Sequence, residues 1–391
     1  MEMIAKTPPM GWNSWNTFMD QLDEKTLKEV ALSLKKQGFL EAGYNYFCLD
    51  DGWESRERQF GSGVDYDKMK FPSGLKAFGD FLHDLGFKFG IYSCAGTLTC
   101  GGYPGSYGYE YEDAERFAQW GVDLLKYDQC NVPNDCEGKF LYRRMGQALR
   151  ETGRPILYSM CNWGYDASET WARSTGAHIY RIGSDSRDTW ESVCSSISVI
   201  KEINLPTYSG PNCYADPDFL IAGMNGSGAV SNLGEVIGPN ADFGVYKTQF
   251  SLWCMLCAPL IMSHDPRSED EQTNGILLNS EMIAVNQDPA GIPAFLCKIH
   301  KQFEIQTNDV WAKPLANGDI VLGLFNRSDR TVVISAGFHS LGWLMSDHVE
   351  VYDLWAHQAL GEAVGYVSAK VEPRNCAVFR LHRKKNRKKT P

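Results

Sequence analysis

The chain repeats one sequence pattern: an amphipathic helix, a glycine that ends it, and a short apolar run that closes on polar residues. The first helix is predicted between Asp23, a candidate N-cap, and Gly38. Its apolar residues recur at the helical spacing i, i+3, i+4 and i+7. They are Leu27, Val30, Ala31 and Leu34. The apolar run 44–49 follows as a predicted strand and closes on Asp50 and Asp51.

Strand-like runs of this kind alternate with predicted helices along the first part of the chain. They cover residues 44–49, 87–91, 122–125, 155–158 and 178–181, with further candidates at 10–12, 205–209 and 260–263. Eight such strands are typical of a (β/α)8 TIM barrel, an α/β fold whose active site lies at the carboxyl ends of its strands. A doubly wound sheet is the alternative, but no G-x-G-x-x-G motif follows the first strand.

From about residue 297 the pattern changes to short apolar runs separated by turn residues. The runs are 303–305, 310–312, 320–325, 331–334, 349–354, 366–371 and 377–381. They predict an antiparallel β-sandwich domain. We therefore expect a catalytic barrel over residues 1–295, an antiparallel β domain over 296–382, and a basic, disordered tail over 383–391.

Composition narrows the class of protein. With 43% hydrophobic and 22% charged residues the chain is globular, and its net charge of −10 argues against a nucleic-acid partner. No apolar stretch approaches the ~18 residues of a membrane span, and the first residues lack the basic and apolar segments of a signal peptide. We expect a cytoplasmic protein, or a secreted one if a leader has been removed. A homo-oligomer is left open.

Polar side chains follow four of the predicted strands, where a barrel places its active site. One such ion pair could simply be structural, but four strands that deliver similar groups to one rim favour a site. Lys126 and Asp128 share a strand face because side chains alternate, and the lysine favours the ionised carboxylate. The full set is Asp50, Asp51, Lys126, Asp128, Asn162, Arg181 and Asp185.

Metal and cofactor motifs are missing from the sequence. None of the eight histidines forms H-E-x-x-H, and neither G-x-S-x-G nor a P-loop occurs. The acidic turn Asp216-Pro217-Asp218 could bind a divalent cation, but such turns more often hold loop backbone. We expect no metal and no cofactor. Paired carboxylates with aromatic neighbours are typical of glycoside hydrolysis.

A series of motifs resembles glycoside hydrolase family 27, the α-galactosidase and α-N-acetylgalactosaminidase family. The resemblance covers nearly the whole chain, and the ordered set is far more specific than any single motif. The motifs include Pro9-Met10-Gly11-Trp12-Asn13-Ser14-Trp15, Leu49-Asp50-Asp51-Gly52-Trp53, Leu124-Leu125-Lys126-Tyr127-Asp128, Ser159-Met160-Cys161-Asn162-Trp163 and Asp216-Pro217-Asp218.

The resemblance implies a barrel followed by a β domain, and a retaining double displacement on a terminal α-galactoside. Asp128 matches the nucleophile and Asp185 the general acid and base, with carboxyl groups ~5–5.5 Å apart. The resemblance also implies that Asp50 and Asp51 bind the 4- and 6-hydroxyls of the sugar and that Lys126 binds its 3- and 4-hydroxyls. Other implied pocket residues are Trp15, Tyr92, Cys130, Asn162 and Arg181. Cys100 and Cys130 match a disulfide pair, although Cys130 as a free thiol in the pocket wall is equally compatible.

Two departures from the family pattern bear on specificity. Many galactosidases have Glu where this chain has Asn162, and N-acetylgalactosaminidases have small residues there and at the position of Tyr165. The resemblance therefore favours galactose, bound at its 2-hydroxyl by Asn162 and Arg181, over N-acetylgalactosamine. A β-L-arabinopyranoside is the lesser alternative. A non-catalytic sugar-binding barrel is disfavoured because both catalytic carboxylates are intact. The acidic turn also departs, with Tyr214-Ala215 before Asp216 where relatives often have Trp-Asn.

Overall fold

The structure, a computed structural model, describes residues 3–58, 61–226, 241–268, 270–297 and 308–384. Eight parallel strands form its first sheet in the order β7-β6-β5-β4-β3-β2-β1-β8. Strands β1 to β8 are Met10–Asn13, Tyr46–Cys48, Lys88–Cys94, Leu124–Asp128, Leu157–Cys161, Ile179–Arg181, Tyr214–Asp216 and Leu260–Met262. Leu220, which follows β7, forms a parallel bridge with Met262 of β8. Its N donates to the Ile261 carbonyl over 2.8 Å. The bridge closes the sheet into the predicted barrel.

Helices surround the barrel and begin and end at residues that the sequence marks. The Asp23 carboxylate accepts a hydrogen bond from Thr26 N over 3.0 Å, which confirms it as the N-cap of the first long helix. Gly86 ends the next long helix with φ +104°, a conformation that favours glycine. Helices α1 to α11 are Trp15–Phe18, Glu24–Lys36, Leu75–Leu85, Glu110–Gln119, Gly138–Glu151, Ala172–Thr175, Trp190–Glu202, Leu205–Tyr208, Phe243–Met255, Glu271–Leu277 and Ser280–Asn286.

The predicted strand over residues 205–209 is wrong. This segment forms the short helix α8, with Pro206 in its first turn. Proline has no N–H to donate to a sheet, and its fixed φ suits the start of a helix. The seventh strand is instead Tyr214–Asp216, which is only three residues long and fully buried.

The C-terminal strands form antiparallel sheets, as predicted. One sheet has the order β14-β13-β16-β11-β10-β9, and β12 pairs with β15. Strands β9 to β16 are Phe295–Leu296, Asn308–Pro314, Ile320–Asn326, Val332–Gly337, His348–Asp353, Gln358–Val364, Tyr366–Val371 and Cys376–Arg383. The prediction missed β9, which has two residues, and β14, an edge strand whose residues are nearly all exposed. The predicted run 303–305 and most of the basic tail lie outside the described residues.

Helix α9 packs between the barrel and the β domain, so its residues are buried on nearly all sides. Trp355 Nε1 donates to Ser251 Oγ on this helix over 2.9 Å, and Thr248 Oγ1 donates to the Arg374 carbonyl over 3.1 Å. The predicted boundary at residues 295 and 296 falls within β9, which pairs with β10 of the second sheet. Within the described ranges, no helix combines the length and apolarity needed to cross a bilayer.

Candidate active site

A cavity opens at the carboxyl ends of the barrel strands and collects most of the predicted site residues. Cys130 and Asn162 are predicted site residues that do not line it. Several lining residues were not predicted, chiefly Trp163, Asp218 and Phe219. The complete lining is Trp15, Asn16, Met19, Asp50, Asp51, Tyr92, Cys100, Lys126, Asp128, Trp163, Arg181, Asp185, Ser186, Arg187, Asp218 and Phe219.

Asp128 ends β4 and lies deep in the cavity, with 6% of its surface exposed. Its Oδ1 accepts from Gln129 N over 2.9 Å, and its Oδ2 accepts from the Tyr92 hydroxyl over 3.3 Å. Burial raises the pKa of Asp128 to about 6, although the charge of Lys126 acts in the opposite direction. The carboxylate is therefore held in a fixed orientation and is ionised at neutral pH.

Lys126 lies two residues earlier on the same strand and faces the same cavity. Its Nζ lies 2.7 Å from Asp50 Oδ2, and 5.2 and 5.1 Å from the ring centroids of Tyr92 and Phe219. Burial works to lower the pKa of Lys126, but the nearby negative groups, with Asp50 the largest, together outweigh it, and the pKa lies above its usual value. The ammonium stays charged and is held in place by the carboxylate and two aromatic faces.

Asp50 and Asp51 follow β2 and differ in how their oxygens are used. Asp50 Oδ2 accepts from Lys126 and from Asn13 Nδ2, each over 2.7 Å. Asp51 Oδ2 accepts from Gly101 N over 2.6 Å, whereas its Oδ1 is buried and has no hydrogen-bond partner among the described residues. Because an unpaired buried acceptor is costly, this Oδ1 is suited to accept from a ligand hydroxyl. Burial, the largest cause, raises the pKa of Asp51.

Arg181 ends β6 and joins two carboxylates at the rim. Its Nη2 lies 2.7 Å from Asp185 Oδ1 and its Nη1 lies 2.8 Å from Asp218 Oδ1. The Asp185 side chain is 60% exposed, whereas that of Asp218 is 3% exposed. Burial works to raise the pKa of Asp185, but the charges of Arg181 and Lys126 and the hydrogen bonds to its carboxylate together outweigh it. Its pKa therefore lies below the usual value. Asp218 belongs to the acidic turn Asp216-Pro217-Asp218, and this motif was the sequence feature that could have indicated a role for it in the site.

The loop after β5 places Trp163 in the cavity wall and Asn162 behind it. Trp163 has φ +53°, and Asp166 and Ala167 have φ +59° and +48°, which is strained for residues other than glycine. The fully buried Asn162 donates from Nδ2 to the Tyr165 carbonyl over 2.8 Å, which holds the loop. The predicted contact of Asn162 with the sugar stays a prediction, and its position outside the lining does not favour it.

Cys100 and Cys130 form a disulfide with Cα atoms 5.3 Å apart. Both sulfurs lie within 4.8 Å of an Asp128 carboxylate oxygen. This is the sole group in the described part of the chain with metal-ligand spacing, and its sulfurs are bonded to each other rather than available to a metal. The disulfide instead ties the loop that carries Gly101, the donor to Asp51, to the end of β4.

Comparison with known proteins agrees with this geometry. A family model described as alpha galactosidase A matches residues 7–288, and one described as the alpha galactosidase C-terminal beta sandwich domain matches residues 306–381. The alpha-galactosidase of Cyamopsis tetragonoloba is 36% identical over 97% of this chain and 87% of its own length. That of Coffea arabica is 38% identical over 97% and 94%. The solved alpha-galactosidase I from Mortierella vinacea has a TM-score of 0.85 at 31% identity, covering 96% of this chain and 97% of its own.

Proposed function

We propose, from the premise that this chain belongs to glycoside hydrolase family 27, that Asp128 is the nucleophile and Asp185 the general acid and base of its reaction. The chain is an α-galactosidase, since curated α-galactosidases match nearly its whole length at 36–38% identity. An α-galactosidase removes terminal α-galactose, and the family's reaction proceeds with retention of configuration. The roles of individual residues are our proposal.

The contrast in depth between the two carboxylates carries this assignment. Asp128 is 6% exposed at the bottom of the cavity, whereas the Asp185 side chain is 60% exposed at the rim. A cavity that holds one terminal sugar must leave the departing group at its opening. The acid that protonates the glycosidic oxygen is therefore expected at the rim, and the nucleophile on the deep side of the sugar.

The proposed reaction has two steps. Asp128 attacks the anomeric carbon while Asp185 donates a proton to the glycosidic oxygen, and the sugar becomes esterified to Asp128. Asp185 then removes a proton from a water molecule that attacks the same carbon and releases galactose. The pairing of Asp185 with Arg181 suits the second step, because it favours the ionised carboxylate that acts as base.

Recognition of the sugar is proposed to depend on Asp50, Asp51 and Lys126. The open Oδ1 of Asp51 can accept from a hydroxyl, and Lys126 can donate to one while it remains paired with Asp50. The aromatic faces of Trp15 and Trp163 line the same cavity and can cover the apolar face of the ring. A substrate without the expected hydroxyls would leave these buried groups unpaired, which strongly disfavours it.

A panel of p-nitrophenyl glycosides tests the activity and its specificity. We expect kcat/KM to be highest for the α-galactoside and at least ~10-fold lower for the β-L-arabinopyranoside, which lacks C6 and its hydroxyl. The α-N-acetylgalactosaminide should also react more slowly, because the loop that Asn162 holds places the large Trp163 in the cavity wall. A preference for either alternative would overturn the galactose assignment, and no turnover of all three would overturn the enzyme itself.

The pKa values of the two carboxylates predict an acidic optimum. Only molecules with Asp128 ionised and Asp185 protonated can begin the reaction. The pKa of Asp128 is raised to about 6 and that of Asp185 lies below its usual value. Between these two pKa values, the ionised fraction of Asp128 rises with pH as steeply as the protonated fraction of Asp185 falls, so the fraction of molecules in the reactive form is constant. Above pH 6 Asp128 gains no further ionisation while Asp185 keeps losing its proton. We therefore expect kcat/KM to fall above about pH 6.

Lys126→Met provides a check on the cause of that decline. Loss of the Lys126 charge removes a group that lowers the pKa of Asp128, so the fall in kcat/KM should begin at a higher pH. Arg187→Met, which removes a different charge from the cavity lining, is the matched control and should leave its position unchanged. A wild-type kcat/KM that instead rises through pH 6 to a neutral plateau would contradict the protonation assignment.

A further inference from the structure

The contact between the barrel and the β domain includes a buried amine and a buried thiol that the hydrolysis does not use. Lys313 lies on β10, and Cys257 lies in the turn after α9. The Lys313 Nζ is 2.8 Å from the Cys257 Sγ. Both residues are 0% exposed. The pair therefore links two parts of the fold at a place that water does not reach.

The surroundings of Lys313 do not supply the counter-charge that a buried ammonium needs. Its Nζ donates to the Ile292 carbonyl over 2.7 Å and contacts Cys257 Sγ. Across the residues that the structure describes, no carboxylate forms an ion pair with it. Burying an ammonium is costly unless it is paired, and a protonated thiol is a weak acceptor. An ordinary structural lysine is thus a poor explanation for this position.

The distance between the two atoms is also unusual. N–H···O hydrogen bonds span ~2.7–3.2 Å, and sulfur is a larger atom than oxygen, so N–H···S bonds are longer. A separation of 2.8 Å is short for a hydrogen bond to sulfur. It fits two atoms that are both bonded to one small atom between them. The backbone of Cys257, with φ +54°, is held in a conformation uncommon for a residue other than glycine.

We propose that Lys313 and Cys257 are a modification site at which dioxygen forms a covalent N–O–S bridge. One N–H bond of the neutral amine and the S–H bond of the thiol break, and an N–O and an O–S bond form. One oxygen atom enters the bridge, and the other leaves as water with the two hydrogens. The nitrogen and sulfur together lose four electrons, and dioxygen gains four. The uncharged bridge needs no counter-charge at this buried position, and it cross-links the barrel to the β domain.

Peptide mass spectrometry of the full chain tests the bridge. In protein purified in air, we expect a cross-linked peptide that joins Lys313 to Cys257, heavier by about 14 Da than its two parts, for one added oxygen and two lost hydrogens. Incubation with a thiol reductant should separate the two peptides. A link that is about 2 Da lighter would be a direct N–S bond and would overturn the proposal. Absence of any link after exposure to air would also overturn it, as would a link to the neighbouring Cys254.

Thermal unfolding gives a second readout. We expect reductant to lower the Tm of the wild type by at least about 2 °C more than that of Lys313→Met, which cannot form the bridge. Cys254→Ala removes a buried thiol on α9 and should respond to reductant as the wild type does. The comparison separates the bridge from the Cys100–Cys130 disulfide, which every variant retains. Equal responses of wild type and Lys313→Met would contradict the cross-link.

Discussion

Asp128→Asn is expected to lower kcat by at least ~10⁴-fold while leaving the fold intact. The amide can still accept from Gln129 N, and it has nearly the same size as the carboxyl group. It cannot form the ester with the sugar that the first step requires. Steady-state hydrolysis of p-nitrophenyl α-galactoside measures the loss, and an unchanged Tm shows that folding is not its cause.

Asp128→Ala with azide identifies the direction of attack. Azide can occupy the space that the carboxylate leaves, so it should restore release of p-nitrophenol and form the β-galactosyl azide, with inverted configuration. Asp218→Ala is the matched control, since it removes a different buried carboxylate from the same cavity. Near-native activity of Asp128→Asn, or inverted azide product from Asp218→Ala, would mean that the nucleophile is misassigned.

Asp185→Ala is expected to lower kcat/KM most for substrates whose leaving group must be protonated. For a galactoside whose leaving group is another sugar, kcat/KM should fall by ~10²–10⁴-fold, the usual contribution of general acid catalysis. For p-nitrophenyl α-galactoside the fall in kcat/KM should be much smaller, because p-nitrophenolate leaves without protonation. Turnover of this substrate should then be limited by hydrolysis of the ester on Asp128.

Azide distinguishes this variant from the previous one. In Asp185→Ala it should attack the ester on Asp128 and give the α-galactosyl azide, with retained configuration. The stereochemistry can be read by proton NMR. Equal losses for both leaving groups would contradict the role of Asp185 as acid and base, and would instead indicate that it acts only by holding Arg181.

The barrel was predictable because most of its helices and strands are marked by local sequence patterns. The helix that Asp23 caps and the strand that ends at Asp128 have clear periodicity and clear end signals, and the structure has both. The seventh strand has neither, since Tyr214–Asp216 is three residues long and adjoins a proline turn. The run 205–209 predicts a strand, but Pro206 lies in the first turn of helix α8.

Part of the cavity wall was less predictable, because it depends on contacts between distant segments. Asp218 matters through its ion pair with Arg181, 37 positions away, and Phe219 through its position over Lys126. The strained loop that turns Trp163 inward and Asn162 away depends on backbone conformations that the sequence does not display. The residue types at the strand ends were sufficient to predict that most of these residues share one cavity, but not the detailed shape of the pocket.

The most direct test of the mechanism is to trap the proposed ester. A fluorinated galactosyl substrate with a good leaving group slows the second step, so the sugar should accumulate on the enzyme. Peptide mass spectrometry should then place one sugar on the peptide that contains Asp128, and fragmentation should place it on that residue. A label on Asp185 or Asp218, or complete turnover of the substrate with no covalent label, would contradict the account.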